Sequence, residues 1–406
     1  MPEEGSAVFP RFLVAGIVKV SRVAVVCALG TTLAGVLSTT IGAAAVAQDK
    51  DTTKVIRIGA GPTGATDFPF GGLIANAISN PPGSRECDRG GSCGVPGLIA
   101  VAQTTANAAD NLRAIARGDL DLALSQADVT AWAYRGAGAF ANEEPMDNLR
   151  LIARLYPENI HLIVRADSPI KAVTDLKGKR VAMGAENSAT AATAKLILSA
   201  FAVKWDSVQM KYLDFTVTND ALTKNTVDAV FVVSGAPVLA LEDLAARIPI
   251  RLVPIAGPAA DKLAQVFPFY SRGVIPGGTY GANQPPVETI DVGSVLVGRS
   301  TMDPELAYGI VRAIWHERNA PLFKAGHPRG QFMDKSLAAQ DVGVPILKGA
   351  DRYYVQNGLM EAPPAGAPQA PAAKPPTKAE VGPAHLLPTR PVRHTLRQFI
   401  SLFSAS

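Results

Sequence analysis

Two stretches of small and hydroxyl-bearing residues carry most of the chemistry this sequence offers. The first, GAGPTGAT (59–66), follows a short apolar run and sets Gly59, Gly61 and Gly64 at a GxGxxG spacing. In a dinucleotide site such glycines form the tight turn, admit the pyrophosphate to the backbone and let the helix pack closely. That chemistry also needs an acidic residue about 20 positions further on, at the end of a second strand. Here the distance falls at Glu86, inside the loop PPGSRECDRGG, and Pro62 interrupts the entry to a helix whose apolar pattern starts near Phe70. The loop reads instead as a cradle for a small anion, with backbone N–H groups and the hydroxyls of Thr63 and Thr66 gathered at a helix N-terminus. The second stretch, MGAENSAT (183–190), again leaves a strand through Gly184 into a polar helix start. Asn187, Ser188 and Thr190 either cap that helix or meet the same ligand from a facing wall.

Other constellations are sparse. SQAD (125–128) closes a strand and opens a helix, so Gln126 and Asp128 either reach the space beside the glycine loop or, for Asp128, cap the helix. His161, His316, His327, His385 and His394 show no metal-ligand spacing, and no GxSxG elbow is present, so neither a metal nor a catalytic nucleophile is expected. His161 lies near Glu158 in an apolar run and reads as a hydrogen-bonded core or cleft histidine. Tyr134, Tyr156 and Tyr280 either line a cleft with their polar tips or pack. Cys87 and Cys93 bracket the short loop CDRGGSC with no other Cys or His nearby in the sequence, which in an exported chain predicts a disulfide.

The elements that position these residues follow an α/β rhythm of short apolar run, Gly/Ser/Asn loop and helical pattern. Strands are expected over 54–60, 96–103, 120–126 and 228–235, a pair of strands in LRLIARL and IHLIVR, and another in TIDVGSVLVG. Helices are expected over 70–79, 107–118 and ENSATAATAKLILSAFAV, with one long helix in PELAYGIVRAIWHERNAPLF. Ahead of them, Arg11, Lys19 and Arg22 precede an uncharged, largely apolar run closing on Ala45-Val46-Ala47. That layout predicts a secretory leader over 1–47 cleaved after Ala47, with a retained anchor as the rival reading of the same run. The formal charge of +4 falls to +3 without the leader, and no basic stripe with interleaved aromatics suggests nucleic acid. From Ala362 the chain turns to Pro and Ala, a composition that cannot bury a core and predicts an extended tail over 362–406.

The ordered motifs over about 54–357 resemble the TAXI-type solute receptors of tripartite ATP-independent periplasmic (TRAP) transporters. IRIGAGPTGATDFPFGGLIANAI looks like that family's opening strand, glycine loop and helix, and DNLRAIARGDLDLALSQADVTAWAYRG is similar to its Asn-Leu, Gly-x-x-Asp, Gln-x-Asp and Ala-Tyr-x-Gly series. DLKGKRVAMGAENSAT, VDAVFVVSGAPV and GTYGA follow in the same order. The resemblance implies a two-lobed α/β periplasmic binding protein (Venus-flytrap) fold with a hinged cleft: a first lobe over 48–157 and returning over 257–361, and a second over 158–256. It also implies a non-enzymatic receptor that passes a small carboxylate-bearing solute, an acidic amino acid or dicarboxylate, to ion-gradient-driven permease subunits, with no cofactor. A sensor subunit presenting its ligand to a signalling partner is the alternative. The implied site is the opening loop (Gly61, Thr63, Gly64, Ala65, Thr66 and Phe68, the last where a tyrosine is common), Gln126 and Asp128, the turn at Asn187, Ser188 and Thr190, and Tyr280.

Overall fold

Ile56 and Ile58 alternate with the exposed Val55 and Arg57, and this period-2 burial makes the opening run a half-covered strand, β1 (Lys54–Gly59). The computed structural model describes residues 53–361; the expected leader, its cleavage site and the Pro/Ala-rich tail lie outside the described residues. After β1 come α1 (Asp67–Ile78), the two-residue strands β2 (Ser79–Asn80) and β3 (Val95–Pro96), β4 (Leu98–Gln103), α2 (Ala108–Arg117), β5 (Leu122–Gln126) and α3 (Ala127–Arg135). The middle of the chain supplies β6 (Leu149–Arg165), β7 (Arg180–Ala182), α4 (Ala189–Ala200), β8 (Gln209–Lys211), α5 (Phe215–Thr223), β9 (Ala229–Ser234), α6 (Leu239–Arg247) and β10 (Ile250–Leu252). The remainder is α7 (Pro258–Val266), β11 (Tyr270–Ile275), β12 (Val287–Arg299), α8 (Pro304–Ile314), α9 (Ala320–Gly326) and α10 (Ala350–Gln356).

All the strands join one sheet in the order β3-β2-β4-β1-β5-β12-β6-β9-β7-β8, with β10 against β6 and β11 against β12. Two strands hold its halves together. Leu149–Arg154 of β6 and Val295–Arg299 of β12 pair beside β5, whereas Asn159–Val164 of β6 pair with β9, and Val287–Val292 of β12 pair with β11. The antiparallel register between β6 and β12 shifts between Gly293 and Val295, next to the Pro157–Gly293 pair. There a proline with no N–H to donate faces a residue with no side chain.

This corrects the expectation of two paired strands in LRLIARL and IHLIVR. Pro157, Glu158 and Asn159 read as a break, yet the segment is one strand of 17 residues, because the irregularity at Gly293 absorbs the proline. Two helices also differ. α1 starts at Asp67 rather than near Phe70, since Pro69 falls in the first turn, where its missing N–H costs no helix bond. The long helix expected from Pro304 stops at Ile314, and α9 restarts at Ala320 with Pro321 in its first turn after a short 3-10 turn over Glu317–Asn319. α2 ends as expected at Gly118, whose φ of 88° lets its N–H reach the carbonyls of Ala114 and Ile115.

The first half buries Ile58, Phe70, Ile74, Leu124, Ile310 and Tyr354 between the sheet and α1, α8 and α10. In the second half Val230, Val232, Leu241 and Leu244 form a smaller cluster with Tyr280. On the opposite side of the sheet, one continuous core runs from Leu112 and Trp132 through Leu162 to Ile197 and Leu263, so the two halves share buried surface there. Cys87 and Cys93 form the expected disulfide, with a Cα–Cα distance of 4.7 Å. No helix among the described residues is long and apolar enough to cross a membrane.

Helix α1 comes close to β1 at Gly71, where an added Cβ would stand 2.5 Å from the Ala60 Cβ, an atom with no rotamer to yield. Gly71→Val should therefore lose about 1–3 kcal/mol of stability by overpacking, read as a lower urea midpoint at unchanged m-value.

Candidate functional site

Strands β1, β4 and β5 of the first half and β7, β8 and β9 of the second all end on one cavity of about 70 Å³. In an open α/β sheet the loops beyond the carboxyl ends of parallel strands form the natural ligand crevice. Gly61, Ala65 and Asp67 line it from the first βα loop, Asn107 and Ala108 from the start of α2, and Gln126 from the end of β5. The second half contributes Gly184, Ser188, Ala189 and Thr190 before and into α4, Asp214, Phe215 and Thr218 at the start of α5, and Phe231–Ser234 of β9.

Local chemistry fixes these loops. Asn107 caps α2 by accepting from the Asp110 N–H at 3.0 Å, and Ser188 caps α4 by accepting from the Ala191 N–H at 3.2 Å. Asn111, one turn into α2, donates to the carbonyls of Gly59 and Leu124 at 3.3 and 2.9 Å and ties the ends of β1 and β5 together. The first N–H groups of a helix have no partner inside it. Those of the lining residues Ala108, Ala189, Thr190 and Phe215 have no described acceptor, so three helix starts with unspent donors lie at one cavity. No Lys, Arg, His or Cys is among its described lining residues.

The halves are closed on each other around this space. The Thr66 N–H donates to Ser234 Oγ at 3.1 Å and its hydroxyl donates to the Gly235 carbonyl, while the Ala240 N–H donates to the Gly64 carbonyl at 3.2 Å. Arg329, buried in the short turn Pro328–Phe332, donates to the Ala236 carbonyl and to Asn159 Oδ1. Asp128 also joins the halves: Tyr270 and Thr193 donate to its Oδ2 at 2.7 and 3.0 Å. Burial pushes the Asp128 carboxyl up, against the pull of these hydrogen bonds.

Beside the cavity lies a second group of buried acids. Tyr156 donates to Asp67 Oδ1 at 2.6 Å, and Gln126 Nε2 donates to Glu158 Oε2 at 2.8 Å. Burial raises Asp67 to about 6, and burial together with the neighbouring Asp67 charge holds Glu158 well above the usual carboxylate range. Near them His161 is fully buried. Its Nδ1 contacts the Asn159 carbonyl at 3.0 Å, and a carbonyl can only accept, so the ring proton sits on Nδ1 and Nε2 accepts from Tyr280 at 2.9 Å. Burial lowers this imidazole to about 3, which keeps it neutral.

Of the residues singled out from sequence, Gly61, Ala65, Gln126, Ser188 and Thr190 line the cavity. Gly64 and Thr66 instead close the halves, Thr63 and Asn187 are exposed, and Phe68 packs on the first-half core. Asp128 and Tyr280 are buried behind the cavity in the hydrogen bonds above. Glu186 is exposed and absent from the lining. Sequence reasoning missed Asp67, Asn107, Asp214, Phe215 and Thr218. For Asn107 and Asp214 a signal existed, each being a capping-type residue just before a helix.

Two α/β halves joined by continuous strands, with a cavity at the carboxyl ends of their parallel strands, define the two-lobed α/β class. Residues 58–358 match the NMT1-like family, and the chain belongs to that family. Among solved structures it is similar to a binding protein component of an ABC phosphonate transporter from Pseudomonas aeruginosa, at 12% identity and a TM-score of 0.44, covering 72% of this chain and 83% of that one. It is also similar to the periplasmic aliphatic sulphonate binding protein SsuA from Escherichia coli, at 17% identity and a TM-score of 0.39, covering 67% and 78%. The alkanesulfonate-binding protein SsuA from Xanthomonas axonopodis pv. citri matches at 17% identity and a TM-score of 0.40, covering 74% and 82%.

His161 also sets an acid limit on stability. With a folded pKa of about 3 against 6.5 for the free side chain, the unfolded chain binds the extra proton between those values, so stability falls as pH drops through that window. His161→Gln lacks this titration. From pH 7 to 4.5 the wild type should lose about 2–3 kcal/mol more than the variant, measured by urea unfolding at both pH values.

Proposed function

We propose that the chain is an exported, non-enzymatic receptor that closes over a small carboxylate-bearing solute and delivers it to the permease subunits of a TRAP transporter. The observation that carries this reading is the cavity itself: contributed by both halves and lined by the starts of α2, α4 and α5, whose first N–H groups have no described acceptor. Oriented backbone donors at helix starts hold a carboxylate without a basic side chain. Among the described lining residues there is no His or Cys, the Ser188 hydroxyl is engaged in capping, and the Ser234 hydroxyl accepts from the Thr66 N–H. A solute of acidic amino acid or dicarboxylate size suits the volume better than a peptide or nucleotide.

In this reading the sheet halves are lobes, and the hinge lies in β6 around Arg154–Asn159 and in β12 around Asp291–Val295, where the register shifts. We set the return to the first lobe inside β12 rather than at residue 257, because β11 pairs with the Val287–Val292 end of that strand and α7 packs beside α4. The TAXI assignment, and with it the permease partner and the periplasmic location, draws support from the roles of its motif residues. Asn111 ties β1 to β5, Gly118 ends α2, and the Asp121 carboxylate accepts the Arg57 N–H at 2.8 Å.

Thermal-shift measurements on the mature chain with L-glutamate, succinate and a panel of neutral amino acids test the reading, since a ligand specific to the folded state raises stability as RT ln(1 + [L]/Kd). At least one carboxylate should raise the melting temperature, and Gln126→Ala should weaken its binding by roughly tenfold, the value of one good hydrogen bond. A panel that leaves the melting temperature unmoved, or turnover of any member, sinks it.

A further inference from the structure

The acids beside the cavity lack a counterion. Asp67 and Glu158 are neighbours, 7% and 1% exposed, and neither makes an ion pair among the described residues. Tyr156 on the same strand donates to Asp67, Gln126 at the end of β5 donates to Glu158, and Ser294 of β12 sits beside Glu158 and Tyr156. Asp128, at the start of α3, adds a further negative charge within electrostatic range of Glu158. Arg329 is also within electrostatic range of Glu158; its Nε and Nη2 donate to Ala236 and Asn159, and it forms no ion pair with either acid among the described residues. Asp291 accepts from Asn159 and lies within electrostatic range of Arg329.

Two atoms in this group have no partner, Glu158 Oε1 and the Oγ of the neighbouring Ser294. Glu158 Oε1 is buried and receives no hydrogen bond from any described donor, although Oε2 does. An orphaned acceptor on a buried acid is destabilising, because its desolvation is not offset by a hydrogen bond. Two adjacent buried acids without a cation cannot both ionise, and a proton between them removes both penalties. We propose that Asp67 and Glu158 share one proton through Glu158 Oε1, and that the cleft accepts an anionic solute only while this proton is in place. The solute clause rests on the receptor reading; the shared proton does not.

The arrangement makes each acid asymmetric. Asp67 accepts from Tyr156 at one oxygen and presents its edge to the cavity, while Glu158 lies behind it, held by Gln126. With the proton bound the pair carries a single negative charge instead of two. Its loss to solvent base at higher pH doubles the charge at the wall where the solute sits, with no other bond made or broken. The direction follows: solute affinity is greatest at low pH and is lost as pH rises through the titration of the pair.

Neutral isosteres substitute for the proton. In Glu158→Gln the amide oxygen still accepts from Gln126 and the amide N–H donates to Asp67, and in Asp67→Asn the oxygen still accepts from Tyr156 while the N–H meets Glu158 Oε1. The first experiment is infrared difference spectroscopy of the ligand-free mature chain at neutral pH. A protonated-carboxyl C=O band should be present in the wild type and missing in Glu158→Gln, and identical spectra in that region overturn the shared proton. The second measures L-glutamate binding by calorimetry between pH 6 and 8.5. Wild-type affinity should fall by up to about tenfold per pH unit at the upper end, with the free pair taking the role of a single titrating site. Glu158→Gln and Asp67→Asn should show flat profiles, and a pH slope equal in wild type and variants overturns the linkage. If L-glutamate binds none of the proteins, the receptor reading loses its probe solute, and the infrared band still decides the proton.

Discussion

The pairing of β6 with β12 is the constraint on which the rest depends. Both strands run unbroken from one half of the sheet to the other, so neither half completes its sheet without residues that also belong to its neighbour. A connection of this kind cannot drift apart, but it can bend where its ladder is weakest. The Pro157–Gly293 pair and the adjacent register shift are that place: one partner has no N–H to give and the other no side chain to pack. Shared apolar surface on one side of the sheet, from Trp132 to Ile197, opposes separation there. In the proposed receptor, hinge motion would be directed to the side where the first-half and second-half clusters remain separate.

In the proposed receptor the cleft relies on backbone dipoles where many anion sites use Arg or Lys. Three helix starts lie at a space also lined by Asp67 and Asp214, so the field inside is a balance between fixed partial positive charge and carboxylate charge. Partial charges from the backbone are permanent. The charge of a buried acid pair is not, since it follows the occupancy of one proton. Arg329, the cation in this region, is buried and committed to Asn159 and Ala236, which leaves it a structural part of closure.

Much of the fold was legible in the sequence because α/β alternation writes itself into local patterns: apolar runs, polar helix starts such as Asn107 and Ser188, and a stop such as Gly118. What was illegible was long-range. Pro157 looks like a terminator until Gly293, 136 residues later, provides a partner that tolerates it. The lining was half legible for the same reason. Gly61, Ala65, Gln126, Ser188 and Thr190 lie in loops whose composition announces a helix start, whereas Asp67 reads as an ordinary first-turn acid until Tyr156 and Glu158 are brought to it across the fold. Thr66, Asp128 and Tyr280 were recognised as important polar residues, and their partners are Gly235, Tyr270 and His161, all far off in sequence.

Closure and recognition are carried by different atoms. Gly64, Thr66, Ala240 and Arg329 bind one half to the other and stand outside the cavity lining, while Gln126, Thr190, Phe215 and Thr218 line it and take no part in those bonds. Of the groups named here only Ser234 serves both. A scaffold divided this way is open to change in its choice of cargo, by drift or by design, at nearly constant closing energy. The lining side chains form an exchangeable lens set in a frame whose clasp meets the glass at Ser234.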